Sequence, residues 1–199
     1  PMVESRIVDG MASAAEAAEA LGYPVVLKAL APGVAHKNRL GFVINNIADD
    51  IELAEAVVNL EGRIAALDFT AAEVPLVLQP MAKGDAEIVL SVAFEPGLGH
   101  FLVAGLGGVY TEQLDEMVLI PIPAQPSAIE QRLQESPVGR LIAAIGPLSP
   151  VIDALWALSL LVAGNRAIAA IDINPLLVEP SGCTAVDALI VLAEPGPIS

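Results

Sequence analysis

Apolar and polar positions alternate along the chain with two distinct periods, and the changes of period mark the elements. Ser13-Ala14-Ala15-Glu16 has the spacing of a capping box, and the alanine-rich run behind it stops at Gly22, which predicts a short helix. Residues 24–30 open on Pro24 and read as a strand whose apolar run is interrupted by Lys28. A loop over 31–40 holds Pro32, Gly33, His36, Lys37, Asn38 and Arg39, and residues 41–47 return as a strand. Asp49 and Asp50 open a helix in which Ile51, Ala54, Val57 and Val58 recur at helical spacing.

The second half is richer in strands. Residues 75–79 predict a strand that breaks over 80–85; residues 87–94 and 100–106 form a hairpin turning at Glu95-Pro96-Gly97-Leu98-Gly99. Gly105-Leu106-Gly107-Gly108 follows, then a short strand near 117–120, a proline-rich connection over 121–126, and two or three helices within 127–163. Strands at 167–173, 175–179 and 184–192 close the pattern. The result is a mixed α/β chain with adjacent hairpins, organised as two lobes.

Composition narrows the function. The 199 residues are 55% hydrophobic and 17% charged, which excludes intrinsic disorder and allows a core without staples. Nine Lys and Arg against 24 Asp and Glu give a net charge of −15, so nucleic acid and anionic lipid are poor general partners. A mean hydropathy of +0.66 raises the question of a membrane. The longest suspicious stretch, 141–164, carries Pro147, Pro150 and Asp153, which fits buried helices better than a span. With no basic, apolar leader pattern and a single cysteine, Cys183, the expected location is the reducing cytoplasm.

Against that acidic background Lys28, His36, Lys37 and Arg39 stand out as a basic cluster suited to a polyanion such as a nucleoside triphosphate. Lys28 admits two readings, a solvent-facing lysine on an ordinary strand or a phosphate ligand. The C-terminal hairpin is more specific. Glu179-Pro180-Ser181-Gly182 suits a type I turn, and with Pro180 and Ser181 central, paired positions sum to 361. Asn174 then faces Asp187 with β-carbons about 5 Å apart, and Asp172 points to the same side. The other side carries Ile171, Ile173, Val186, Ala188 and Ile190 and reads as core. Two carboxylates and an amide oxygen are the hard ligands Mg²⁺ takes; a solvated polar face is the alternative. The glycines at 105–108 allow close backbone approach or a tight turn, and Glu87, opening its strand, could cap a ligand's polar edge.

Taken in order, Gly22-Tyr23-Pro24-Val25-Val26-Leu27-Lys28, His36-Lys37, Leu78-Gln79-Pro80-Met81, Glu87, Gly105-Leu106-Gly107-Gly108 with Glu112, Asp172-Ile173-Asn174-Pro175-Leu176-Leu177-Val178 and Ala185-Val186-Asp187-Ala188 resemble the ATP-grasp domain of ADP-forming acyl-CoA (acetyl-CoA) synthetases, relatives of the succinyl-CoA synthetase β subunit. The resemblance spans nearly the whole of residues 1–199. It implies an ATP-grasp fold of two α+β lobes, a nucleotide cleft between them and a hinge near 79–85. It further implies that Lys28, Lys37, Gly107 and Gly108 contact nucleotide, that Gln79, Pro80 and Met81 line the adenine, and that Glu87 binds the ribose. Asn174 and Asp187 match the Mg²⁺ ligands, and Asp172 is the candidate that the hairpin geometry sets beside them. His36 matches a histidine that relays phosphate from a second histidine on a CoA-ligase portion.

The implied activity converts acid, CoA and ATP to acyl-CoA, ADP and phosphate. CoA-binding and CoA-ligase domains would come from the same longer chain or from a partner subunit. The alternative is a non-catalytic regulatory ATP-grasp module of a multidomain protein acyltransferase. Two stretches depart from the family pattern: Gly41-Phe42 stands where paired glycines are usual, and Gln113-Leu114-Asp115-Glu116-Met117-Val118-Leu119-Ile120-Pro121 lacks both the lysine that often follows Glu112 and the later arginine before the proline.

Overall fold

A computed structural model describes residues 1–30, 41–67, 69–70, 73–107, 117–165 and 167–193. The chain divides into two compact units, one of residues 3–82 and one of residues 83–199 joined by Pro1 and Met2. The division falls between Ala82 and Lys83.

Among its described residues the smaller unit is a sheet of four antiparallel strands with two helices. Its elements run β1 (Arg6–Val8), α1 (Met11–Leu21), β2 (Val25–Ala29), β3 (Val43–Ile47), α2 (Asp50–Ala65) and β4 (Leu76–Pro80), and the strand order is β1-β4-β2-β3. The helix expected at Ser13 starts two residues earlier. Gly10 is its N-cap, while the Ser13 hydroxyl donates to the Gly10 carbonyl at 3.1 Å and accepts from the Asp9 amide at 2.9 Å. A reciprocal cap occurs instead at α2, where Asp49 accepts from the Ile51 and Glu52 amides and Glu52 accepts from the Ala48 amide.

The phase of α2 also differs from the expected one. Leu53, Ala56, Val57, Leu60 and Ile64 face the core, leaving Ile51 and Val58 exposed. Leu53 and Leu60, two turns apart, set the buried stripe, and the branched residues beside them are tolerated on the surface. Phe42, the departure noted above, lies 1% exposed in this core, and its carbonyl accepts from Ala29 N. Its ring therefore has a packing role.

The larger unit holds a six-stranded antiparallel sheet with three helices among its described residues. Strands β5 (Ala86–Glu95) and β6 (Gly99–Leu106) form the expected hairpin, followed by β7 (Val118–Pro121). Helices α3 (Pro126–Gln134), α4 (Pro137–Ile145) and α5 (Ser149–Ala163) each carry a proline in the first turn, where the missing N–H costs nothing. Strands β8 (Ile168–Glu179), β9 (Gly182–Ala185) and β10 (Ala188–Leu192) complete the order β10-β8-β5-β6-β7, with β9 also on β8.

Two expectations change here. Residues 168–179 form one strand, because the Pro175 carbonyl accepts from Val186 N while the pairing with β5 shifts register between Ile88 and Leu90. Residues 182–192 form two strands, broken at Val186 and Asp187. One sheet face buries Ile88, Leu90, Val92, Leu102, Ile171 and Leu176 with Ile129, Ile142 and Leu155 from the helices. Strand β10 lies at the sheet edge and all five of its residues are exposed, so Ala188 and Ile190 are not core positions as expected. No helix among the described residues is long and apolar enough to cross a membrane.

Candidate functional site

The C-terminal hairpin has the register that its turn dictates. Leu176 pairs with Ala185, Leu177 with Thr184, Val178 with Cys183 and Glu179 with Gly182. The same pairing continues through Ala188 with Ile173 and Leu189 with Asp172. Between these runs the Asn174 amide donates to the Asp187 carbonyl at 3.3 Å, so the two residues stand opposite each other. The interruption of regular pairing falls at Asn174, Pro175, Val186 and Asp187, and it leaves side-chain oxygens of Asn174 and Asp187 at a break in the ladder.

Alternation places Asp172 on the face of β8 opposite buried Ile171. Its carboxylate Oδ1 accepts from the Ser91 hydroxyl at 2.6 Å, across the registered β5–β8 pair. Asp187 Oδ1 accepts from the Ala188 amide at 3.0 Å. Among the described residues no three His, Cys, Asp or Glu side chains gather into a ready metal cage. The donor set of Asp172, Asn174 and Asp187 nonetheless fits Mg²⁺, which takes one or two carboxylates and fills its octahedron with water and phosphate.

Glu87 opens β5 with its side chain exposed, and its carbonyl accepts from Gly107 N at 2.9 Å. A β-carbon on Gly107 would lie 2.8 Å from that oxygen and 2.9 Å from the carbonyl carbon. Gly107 is therefore required by close backbone approach, and it draws the end of β6 against the start of β5. Gly105, by contrast, faces the Met117 side chain.

In the smaller unit Lys28 is 6% exposed, in a strand buried along its whole length. The solvent-facing reading is thereby excluded. A lysine held this deep is kept for an interaction with charge, since lysine is almost never buried otherwise. Val25, Leu27 and Ala29 face the core, which leaves Val26 and Lys28 on the other side of β2, beside Gln79 and Val77 of β4. Gln79 donates from Nε2 to the Ser5 hydroxyl at 2.8 Å, and Met81 N donates to the Pro24 carbonyl; Pro80 pairs with Val25. His36, Lys37, Gly108, Glu112 and Asp115 lie outside the described residues.

Cys183 is a buried free thiol that donates to the Pro150 carbonyl at 3.5 Å. Burial pushes its pKa up, which makes it an inert packing residue. Ser91 was not among the residues singled out from sequence. Its signal is the alternation Glu87, Val89, Ser91 along one strand face, which acquires meaning only once β5 is paired with β8.

The chain matches the ATP-grasp domain family over residues 1–192 and belongs to it. Its curated relatives are acyl-CoA-forming enzymes. It is 31% identical over 187 residues to a trans-feruloyl-CoA synthase of an unknown prokaryotic organism, a match covering 90% of this chain and 26% of that one. It is 27% identical over 200 residues to the β subunit of acetate–CoA ligase (ADP-forming) II of Pyrococcus furiosus, covering 96% and 85%. A solved structure of acetyl-coenzyme A synthetase 1 of Ca. Korarchaeum cryptofilum, in complex with coenzyme A and Mg-AMPPCP, matches with a TM-score of 0.79 and 26% identity. That match covers 97% of this chain and 85% of the other. The chain thus spans about a quarter of the first curated relatives but most of a separate β subunit.

Proposed function

We propose that the chain is the nucleotide-binding ATP-grasp part of an ADP-forming acyl-CoA synthetase and works in the cytoplasm. The observation that carries this reading is the pairing of Asn174 with Asp187 at a break in the β8 ladder, with Asp172 two residues before Asn174 on the strand face opposite buried Ile171. Mg²⁺ held there would neutralise nucleotide phosphate charge. Lys28 supplies positive charge to the phosphates. Lys37, Gly107 and Gly108 contribute further phosphate contacts, Gln79, Pro80 and Met81 line the base, and Glu87 accepts hydrogen bonds from the ribose hydroxyls.

His36 is the covalent carrier. A ring nitrogen accepts a phosphoryl group from a histidine of a CoA-ligase domain, and the N–P bond then breaks as an ADP oxygen takes the group to give ATP. Support comes from relatives whose whole lengths include this domain and a good deal more, and from a β subunit of nearly this length. The CoA-binding and CoA-ligase domains are therefore contributed by a longer chain or a partner subunit.

Calorimetric titration of Mg-ATP onto the chain tests the reading. Lys28→Ala is expected to weaken binding by roughly 1–3 kcal/mol, the range for hydrogen bonds to charged groups, and His36→Ala to leave it nearly intact. With the CoA-ligase domains supplied, His36→Ala abolishes acyl-CoA formation. Full activity in that variant would overturn the carrier role, and an inactive native assembly that still binds Mg-ATP would favour a regulatory module.

A further inference from the structure

The row of side chains crossing the open sheet face at Asp172 has a simple composition. From one edge of the sheet to the other it reads Leu189 on β10, Asp172 on β8, Ser91 on β5, Val103 on β6 and Leu119 on β7. Leucine and valine offer no hydrogen-bond donor, so the Ser91 hydroxyl is the polar side chain in that row able to hold the carboxylate. It does so at 2.6 Å, the short distance of a hydroxyl donating to a charged oxygen. The backbone under both residues is clamped from the other face, where Leu90, Val92 and Ile171 are buried. A hydroxyl mounted on such a frame does not wander.

We infer that Ser91 is a positioning residue for the divalent cation that accompanies the nucleotide: by occupying Asp172 Oδ1 it holds the carboxylate in one orientation and leaves Oδ2 as the ligand oxygen. The inference rests on the metal assignment made under the proposed function. Its physical content is preorganisation. An aspartate carboxyl rotates over a broad, two-fold torsional profile, and a tethered one loses less freedom when it meets a cation. Outer partners of metal ligands act in this way and their removal weakens metal affinity.

The test uses the chain itself, with Mg²⁺ and ATP as probes. ATP affinity is measured by calorimetry across a Mg²⁺ series and in EDTA, beside the thermal midpoint of each variant. Ser91→Ala is expected to move the Mg²⁺ midpoint up about tenfold, while affinity in EDTA and the thermal midpoint stay put; Ser91→Thr, which keeps the hydroxyl, restores the native midpoint. An unchanged Mg²⁺ midpoint in Ser91→Ala, with or without a fall in thermal midpoint, overturns the inference. If Asn174→Ala and Asp187→Ala shift the midpoint but Asp172→Asn does not, Asp172 lies outside the metal shell and the inference fails while the metal assignment stands. If none of the three shifts it, the metal assignment itself fails and takes the inference with it.

Discussion

Gly107 and Gly105 form a natural pair for separating backbone approach from side-chain crowding. In Gly107→Ala the new carbon would sit 2.8 Å from the Glu87 carbonyl oxygen and 2.9 Å from its carbon. Both atoms are backbone and cannot rotate away, so one strand end must move by about half an ångström to regain ordinary contact. Overpacking of this kind costs about 1–3 kcal/mol. Stretching the hydrogen bond from Gly107 N to Glu87 O adds about 0.5–1.5 kcal/mol. The expected loss is therefore about 1.5–4.5 kcal/mol. In Gly105→Ala the nearest atom is Met117 Cγ at 3.2 Å, the middle of a flexible side chain. Replacing a strand glycine by alanine contributes roughly 0.5–1 kcal/mol of stability, which offsets that adjustment. Urea midpoints of the two variants should then differ clearly, with Gly105→Ala close to native. Since Glu87 is displaced, and the proposed phosphate contact of Gly107 disturbed, only in the first, ADP affinity should fall about tenfold in Gly107→Ala and hold in Gly105→Ala. Equal stability of the two variants would refute the close-approach reasoning, and native ADP affinity in a destabilised Gly107→Ala would remove both Glu87 and Gly107 from the nucleotide site.

Two further outcomes follow from the local geometry. Ser136 caps α4 by accepting from Gly139 N at 3.0 Å and also donates to the Leu133 carbonyl at 2.6 Å while buried, so Ser136→Ala should lower stability by about 1–2 kcal/mol, read from urea unfolding. Burial, and then the hydrogen bond to Asp50 at 2.7 Å, hold the Tyr23 phenol well above its ordinary range. A raised folded-state pKa contributes stability in full below the ordinary phenol value of about 10 and loses it as pH climbs beyond that, so Tyr23→Phe should flatten the alkaline fall of stability measured between about pH 9 and 11.

What the sequence disclosed depended on how local the cause was. The hairpin over 168–192 was legible because a four-residue turn sets a register that then propagates by covalent geometry, which is why Asn174 and Asp187 could be set opposite each other in advance. The β5–β6 hairpin was legible for the same reason. Strand β1 was not anticipated: three residues, two of them exposed, owe their conformation to β4, some seventy positions away. The helix start at Ser13 was misassigned because Ser and Glu at capping spacing cannot reveal that Gly10 already supplies the turn.

The same distinction governs the site. Lys28 could be singled out as one charge in an apolar strand, yet its burial is a tertiary fact, and that burial removes the solvent-facing reading. Ser91 carries no signature in its own strand, because a serine at an outward position is unremarkable until the neighbouring strand sets an aspartate beside it. Strand β10 shows the converse. Its residues spell a core strand, and only the sheet order reveals that it is an edge with both faces bare. Periodicity reports which side of an element a residue occupies, but what lies against that side is decided by pairings that close over long loops. The Ser91–Asp172 contact is built at such a pairing: the carboxylate comes from one strand, the hydroxyl that holds it from a strand some eighty residues earlier.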